Sequence, residues 1–190
     1  MKKQLIIATA ALVMAACQSQ QKEAEATLNT ELPTETSAEL ISRGEYLVTI
    51  GACHDCHSPK VMTDMGPEPD TSRLLSGHPH DMPVAEVPDN IEWVLFSMDL
   101  TTFVGPWGVS FAANLTPDDT GIGNWSFEQF ETAIRKGKAK GLETNRDLLP
   151  PMPWQMYRTF TDDDLRAIFA YLKSLKPIEN LVPQPVRPGK

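Results

Sequence analysis

The segment Cys53-His54-Asp55-Cys56-His57 constrains this chain more than any other feature of its sequence. Two thiols three positions apart can both add to the vinyl groups on one edge of a porphyrin, and the imidazole that follows then lies beneath the iron. The C-x-x-C-H spacing therefore predicts one covalently bound c-type haem, attached through Cys53 and Cys56, with His57 as an axial ligand. His54 is predicted to take no part, because the spacing selects His57.

Three other uses of these cysteines fit the sequence less well. A structural zinc site needs about four ligands, usually in two pairs, and the chain has only one further cysteine, Cys17. A thioredoxin-like redox pair expects a βαβ context, and no such pattern surrounds Cys53. A disulfide between Cys53 and Cys56 would leave His57 without a role.

Residues 1–16 predict an export signal. Lys2 and Lys3 form a basic start, and an apolar run of 12 residues follows from Leu5 to Ala16. That run is shorter than the ~20 residues that span a bilayer, and it matches the apolar region of a signal peptide. Export is consistent with the haem motif, because bacteria attach haem covalently outside the cytoplasm.

The residues around Cys17 resemble the lipobox of bacterial lipoproteins, in which small residues precede a cysteine that becomes acylated. The resemblance implies cleavage before Cys17 and a lipid anchor, since several acyl chains hold a protein stably at a membrane. Gln18 follows the cysteine, which is compatible with sorting to the outer membrane. The alternative is an ordinary signal peptide cut after Ala16.

The remaining composition predicts one domain between two extended segments. Residues 17–38 are rich in Gln, Glu, Thr, Ala and Ser and predict a flexible tether. Residues 179–190 are proline-rich and predict an extended tail, which leaves residues 39–178 as the domain. The net charge of −8 becomes −10 when Lys2 and Lys3 are lost with the signal. An acidic chain of this kind argues against nucleic-acid binding and suggests a basic or neutral docking partner.

Three amphipathic helices are predicted in the domain. Apolar residues recur at helical spacing from Leu40 to Val48 and predict a helix over residues 38–49. Ser126 with Gln129 is typical of a capping box that opens a second helix, which ends near Gly137. Thr161 opens a third helix, and the three aspartates that follow it suit the helix N-terminus.

The order of helix, C-x-x-C-H, helix, loop and helix resembles that of a class I cytochrome c. Three stretches add to the likeness, at residues 114–125, 149–154 and 164–172, and they resemble segments of bacterial mono-haem cytochrome c proteins and of cytochrome c subunits of membrane dehydrogenases. The resemblance covers roughly residues 40–178. It implies an all-α, class I cytochrome c fold with a long inserted loop region, residues 58–113, between the haem-binding motif and the later helices.

The resemblance also implies a second axial ligand to the iron, a methionine in a proline-rich loop between the last two helices. Met152 matches that position, and the prolines on either side of it hold the backbone extended. Met156 is the fallback. His80 is the chief rival for this axial position.

The resemblance implies donors for the haem propionates as well. Trp125 is the first candidate and Asn114 the second, with Arg73 a speculative third. Plain packing in the core is the alternative for Trp125.

The inserted region leaves two interpretations open. It contains Gly77-His78-Pro79-His80-Asp81 and an aromatic run of Trp93, Phe96, Phe103, Trp107 and Phe111. It could form a flap or docking surface over one haem edge, or a loop that enlarges a small core. A metal site on His78 and His80 has weak support, because no other ligand pair accompanies them.

The function implied by the resemblance is electron transfer rather than catalysis. His/Met ligation leaves the iron no open coordination position, and a thioether ligand raises the reduction potential relative to two imidazoles. The expected partners are redox proteins, a dehydrogenase or another cytochrome. The two alternatives are a peroxidase-like haem enzyme and a haem-based ligand sensor.

Overall fold

The fold consists of helices and short strands within residues 36–84 and 92–187, the parts of the chain that the computed structural model describes. The helices are α1 (Ser37–Ile50), α2 (Cys53–His57), α3 (Phe127–Lys136), α4 (Trp154–Tyr157) and α5 (Asp162–Ser174). The strands are β1 (Lys60–Thr63), β2 (Gly66–Pro69), β3 (Leu95–Phe96), β4 (Thr102–Gly105) and β5 (Gly108–Phe111).

The predicted export signal, the lipid-modified cysteine and most of the predicted tether lie outside the described residues. Within those residues, no helix has both the length and the apolar character required to cross a bilayer.

The first and last helices pack against each other and form the centre of the core. A Cβ atom at Gly44 of α1 would lie 2.0 Å from the Ala167 carbonyl oxygen of α5, so only glycine allows this approach of the two backbones. Arg43 and Asp164 add an ion pair of 2.6 Å beside the crossing. The buried apolar residues contributed by the two helices are Leu47, Val48, Leu165, Ala167, Ile168, Tyr171 and Leu172.

The local signals for helix ends are confirmed. Ser126 Oγ accepts a hydrogen bond from Gln129 N, and Gln129 Oε1 accepts one from Ser126 N, which is the predicted capping box of α3. Gly137 ends that helix in the left-handed conformation, with φ 65°. Thr161 and Asp164 form the corresponding reciprocal pair at the start of α5.

The prediction of an all-α fold is wrong, because the inserted region contains two small antiparallel sheets. One is the β1–β2 hairpin, and the other has the strand order β3-β4-β5. Gly105 pairs with Gly108 across a two-residue turn, and Gly108 has a positive φ of 97°. β-Branched and aromatic residues on either side of that turn favour extended backbone, which explains why this segment is sheet and not loop.

The C-terminal segment packs on the domain without forming a helix. Val186 pairs with Val109 through two backbone hydrogen bonds of 2.8 and 3.0 Å, which adds one bridge to the edge of β5. The buried side chain of Asn180 donates to the carbonyl oxygens of Ser76 and His78. This segment therefore fastens the inserted region to the end of the chain.

Candidate cofactor site

The six residues predicted to hold a haem line one cavity of about 440 Å³, a size typical of small-molecule sites. Helices α1, α3 and α5 form part of its wall, and strands β4 and β5 form another part. The predicted residues on the lining are Cys53, Cys56, His57, Asn114, Trp125 and Met152. The apolar residues around them include Val48, Ile122, Phe130, Ile134, Leu165 and Ile168.

The imidazole of His57 is oriented by one backbone hydrogen bond. Its Nδ1 lies 2.7 Å from the carbonyl oxygen of Ala113. A carbonyl oxygen can only accept, so Nδ1 carries the hydrogen and Nε2 keeps a free lone pair. Burial lowers the pKa of His57, which favours the neutral form. This is the tautomer that a metal-ligating histidine requires.

Several hydrogen bonds fix the backbone around His57. Gly77 N donates to His57 O at 2.7 Å, and the fully buried Ser58 accepts at Oγ from Leu75 N at 2.9 Å. Lys60 Nζ donates to the carbonyl oxygens of His54, Asp55 and Ser58 at 3.0, 2.9 and 2.5 Å. The ammonium group of Lys60 therefore donates hydrogen bonds to carbonyl oxygens at the C-terminal end of α2, which carries the motif.

The two thiols are not joined to each other, and both line the cavity. Burial raises the pKa of Cys53 to about 11 and also raises that of Cys56, so both are neutral thiols near pH 7. Within residues 36–84 and 92–187, no group of three or more His, Cys, Asp or Glu side chains could share a metal ion. The alternatives of a disulfide and of a zinc site therefore have no support in this arrangement.

The two histidines of the inserted region, His78 and His80, do not form a metal site. His78 is buried, and its Nδ1 lies 2.8 Å from Thr101 Oγ1. His80 is exposed, and its Nδ1 lies 3.3 Å from Asn180 Oδ1. Neither histidine lines the cavity.

The loop that carries Met152 forms one side of the cavity. Met152 is half-buried on the lining, and its backbone nitrogen donates to Leu149 O at 3.3 Å. Met156, four residues later, is 66% exposed and lies off the lining. After the loop, Tyr157 OH donates to Gly51 O at 2.5 Å and so links α4 to the residues just before the C-x-x-C-H helix.

The cavity also has cationic residues that the sequence analysis missed. Arg146 and Lys140 both line it. In the described ranges Arg146 forms no ion pair, and partial burial lowers its pKa while leaving it charged. Arg73, the speculative donor, pairs instead with Asp70 at 2.9 Å and lies off the lining.

Asn114 and Trp125, the two propionate donors that the family resemblance implies, differ in the hydrogen bonds that their side chains form. Asn114 Nδ2 donates to Ile178 O at 2.8 Å and to Thr120 Oγ1 at 3.2 Å, which engages both of its amide hydrogens. Trp125 is half-buried against the core, and no described residue accepts a hydrogen bond from its indole nitrogen. Trp125 therefore keeps a free donor at the cavity, whereas the amide of Asn114 fastens the C-terminal segment.

The inserted region contributes both wall and exposed surface. Phe96, Phe103 and Ser110 stand opposite one another on neighbouring strands and so share one face of the sheet. Phe103 and Ser110 line the cavity, while Phe96 at the outer edge is 62% exposed. The region thus encloses the cavity on its inner strands and presents apolar surface on its outer strand.

A haem group fits the residues of this cavity. The donor set comprises two free thiols, an imidazole nitrogen with a free lone pair and a thioether, all facing an apolar space with cations on its lining. Thiols suit the vinyl groups, apolar walls suit the porphyrin faces, and arginine or lysine suits the propionates.

Comparisons with known proteins find subunits of several bacterial dehydrogenases, although no family model matches the chain. The chain is 33% identical over 133 residues to the gluconate 2-dehydrogenase cytochrome c subunit of Pantoea cypripedii, an alignment of 70% of this chain and 22% of that protein. It is 30% identical over 152 residues to the fructose dehydrogenase cytochrome subunit of Gluconobacter japonicus, covering 77% of this chain and 24% of that protein.

A third relative is the cytochrome c subunit of the quinone-type alcohol dehydrogenase of Gluconobacter oxydans (strain 621H). The identity is 30% over 141 residues, which cover 73% of this chain and 22% of that protein. The chain thus spans about a quarter or less of the length of each of these relatives.

Proposed function

We propose that this chain, a homologue of the cytochrome c subunits of bacterial dehydrogenases, carries single electrons on one covalently bound haem c outside the cytoplasm. His57 and Met152 would ligate the haem iron, and Cys53 and Cys56 would form the thioethers. The observation that carries the proposal is the convergence of two free thiols, an oriented imidazole and a thioether on one apolar cavity.

The bound haem supplies an iron that changes reversibly between the ferric and ferrous states. The chain supplies the surroundings for that change. Ala113 holds His57 with Nε2 free, and mainly apolar side chains line the cavity. The Met152 thioether, as a second ligand to the iron, would favour the ferrous state and would leave no coordination position for oxygen or peroxide. The proposed role is therefore electron transfer and not catalysis.

Arg146, Lys140 and Trp125 are the proposed partners of the haem propionates. Two of them are cations on the lining, of which Arg146 also donates from Nη1 to Asp147 O at 2.8 Å, and the third has an indole N–H that no described residue accepts. Charge-assisted hydrogen bonds to a carboxylate are roughly twice as strong as neutral ones. These residues would fix the orientation of the haem in the cavity.

The proposed redox partner is a dehydrogenase, because the relatives are named as cytochrome subunits of gluconate, fructose and alcohol dehydrogenases. Another cytochrome is the second partner expected for a carrier of this kind. The net charge of −8 favours a partner with a basic or neutral docking surface.

The absorption spectrum of the purified protein tests the proposal directly. We expect a six-coordinate, low-spin spectrum in both oxidation states and no change when carbon monoxide is added to the ferrous protein, because Met152 occupies the sixth position. A peroxidase-like enzyme would show a high-spin ferric form with activity toward peroxide. A ligand sensor would bind carbon monoxide readily. Either of those spectra would contradict the electron-carrier assignment.

Membrane attachment through Cys17 is a separate proposal, based on the lipobox-like sequence at residues 14–17. We expect Cys17→Ser to move the protein from the membrane fraction to the soluble fraction, or to leave its precursor unprocessed, with an unchanged haem spectrum. Metabolic labelling with a fatty acid and fractionation of the cells measure this. Equal membrane partitioning of variant and wild type would show that the chain is not lipid-anchored at Cys17.

A further inference from the structure

The loop that carries Met152 is joined to the inserted sheet by one buried hydroxyl. Ser110 lies on β5 with 6% of its surface exposed, and its side chain lines the cavity. Its Oγ donates to the carbonyl oxygen of Pro150 at 2.7 Å. Pro150 precedes Met152 by two residues, so this bond reaches the loop close to the thioether.

Trp107 determines the direction of that hydroxyl. Its Nε1 donates to Ser110 Oγ at 3.1 Å, which leaves the serine hydrogen free to point only toward another acceptor, Pro150 O. The indole ring is folded back over Gly105, where a Cβ atom would lie 2.4 Å from Trp107 Cζ3. The tight turn between β4 and β5 therefore orients the indole, and the indole orients the serine.

The backbone of this loop has few other groups that can form hydrogen bonds. Pro150, Pro151 and Pro153 have no backbone N–H, so they offer only carbonyl oxygens for hydrogen bonding. The backbone nitrogen of Met152 bonds within the loop, to Leu149 O at 3.3 Å. Among residues 36–84 and 92–187, the hydrogen bond from Ser110 Oγ to Pro150 O is the direct polar link between the loop and the inserted sheet.

We propose that Ser110 and Trp107 are positioning residues for Met152: they hold the Pro150 carbonyl so that the thioether stays on the iron. The proposal rests on the proposed His57/Met152 ligation. A thioether bonds iron weakly and competes with external ligands. A loop that is already fixed loses less conformational entropy when Met152 binds, so the thioether then occupies the iron for a larger fraction of the time. The inserted sheet thereby acts on the coordination chemistry without touching the iron.

Ser110→Ala tests the proposal through ligand competition. In the ferric holoprotein we expect imidazole to displace the sixth ligand at about a five- to tenfold lower concentration than in wild type, as the loss of one hydrogen bond implies. The long-wavelength charge-transfer band of methionine-bound ferric haem should weaken in parallel. Trp107→Phe keeps an aromatic six-membered ring and removes the indole donor together with the five-membered ring, so it should shift the imidazole titration in the same direction by a smaller factor.

Ser76→Ala is the matched control. Ser76 is also buried, with 2% of its surface exposed, and its Oγ donates to a carbonyl oxygen, that of Arg73, at 2.8 Å, but it lies off the cavity lining. It should lose a similar amount of thermal stability and keep the wild-type imidazole titration. Wild-type titrations for both Ser110→Ala and Trp107→Phe would overturn the proposal.

The wild-type spectrum separates this failure from failure of the proposed function. If the methionine band is present in wild type and both Ser110→Ala and Trp107→Phe leave it and the titration unchanged, only the positioning role of these two residues is wrong. If wild type lacks the band, the His57/Met152 assignment is wrong, and the role of Ser110 falls with it.

Discussion

Replacing Cys53 and Cys56 together by serine is expected to abolish the haem-bearing protein. A serine hydroxyl does not add to a haem vinyl group as a cysteine thiol does, so the haem would lose both covalent bonds to the chain. Haem-dependent staining after denaturing electrophoresis and extraction with acidified solvent measure the effect. Wild type should keep its colour through both treatments, and the double variant should keep none.

Cys17→Ser is the matched control, because it removes the remaining cysteine of the chain and leaves the C-x-x-C-H motif intact. It should retain full haem staining. Free extraction of the pigment from wild type would contradict covalent attachment and remove the basis of the proposed function.

Met152→Ala is expected to open the sixth coordination position of the iron. The variant should turn high-spin, bind carbon monoxide when reduced and gain some activity toward peroxide. Its reduction potential should fall by roughly 0.1 V or more, a part of the ~0.8 V over which axial ligands tune haem. Absorption spectroscopy and a redox titration measure these changes.

Two nearby substitutions make this result specific to Met152. Met156→Ala removes a methionine of the same region that is 66% exposed and off the cavity lining, so its spectrum should match wild type. His80→Ala removes the rival ligand, which is also off the lining. An altered spectrum for His80→Ala together with an unchanged one for Met152→Ala would show that the sixth ligand is assigned to the wrong residue.

Helix ends could be predicted from the sequence because their causes are local. A capping box needs only two residues three positions apart, and Ser126 with Gln129 and Thr161 with Asp164 both form it. The stripe from Leu40 to Val48 likewise predicted a helix to within one residue at each end. These features depend on a single turn of backbone and not on distant partners.

The two sheets could not be predicted in the same way, because strand pairing depends on partners that the sequence does not mark. Residues 102–111 contain Gly-Pro-Trp-Gly between apolar residues, a pattern that does favour a hairpin. The resemblance to an all-α family predicted a loop there instead. The bridge between Val109 and Val186 has no local signal, since the two residues are far apart in the chain.

In the cavity too, residues with a local sequence signal could be predicted, and residues brought there by the path of the chain could not. Spacing identified the two thiols and His57, and the proline-flanked loop identified Met152, all of which the structure places on one cavity. Arg146 and Lys140 were missed because nothing in their immediate sequence distinguishes them from surface cations. They reach the lining because the chain turns at Ala139–Gly141, where Lys140 adopts a left-handed conformation with φ 56°.

The packing of α1 on α5 at Gly44 has a consequence for the order in which the molecule is assembled. The ion pair beside that crossing joins residues 121 positions apart, so the contact can form only after synthesis has passed Asp164. Contacts of such long separation form late, because a large loop must close first. Until then the part of the cavity wall that Leu165 and Ile168 of α5 contribute is not in place. Under the proposed function, thioethers to Cys53 and Cys56 would form before α1 and α5 close around the attached group.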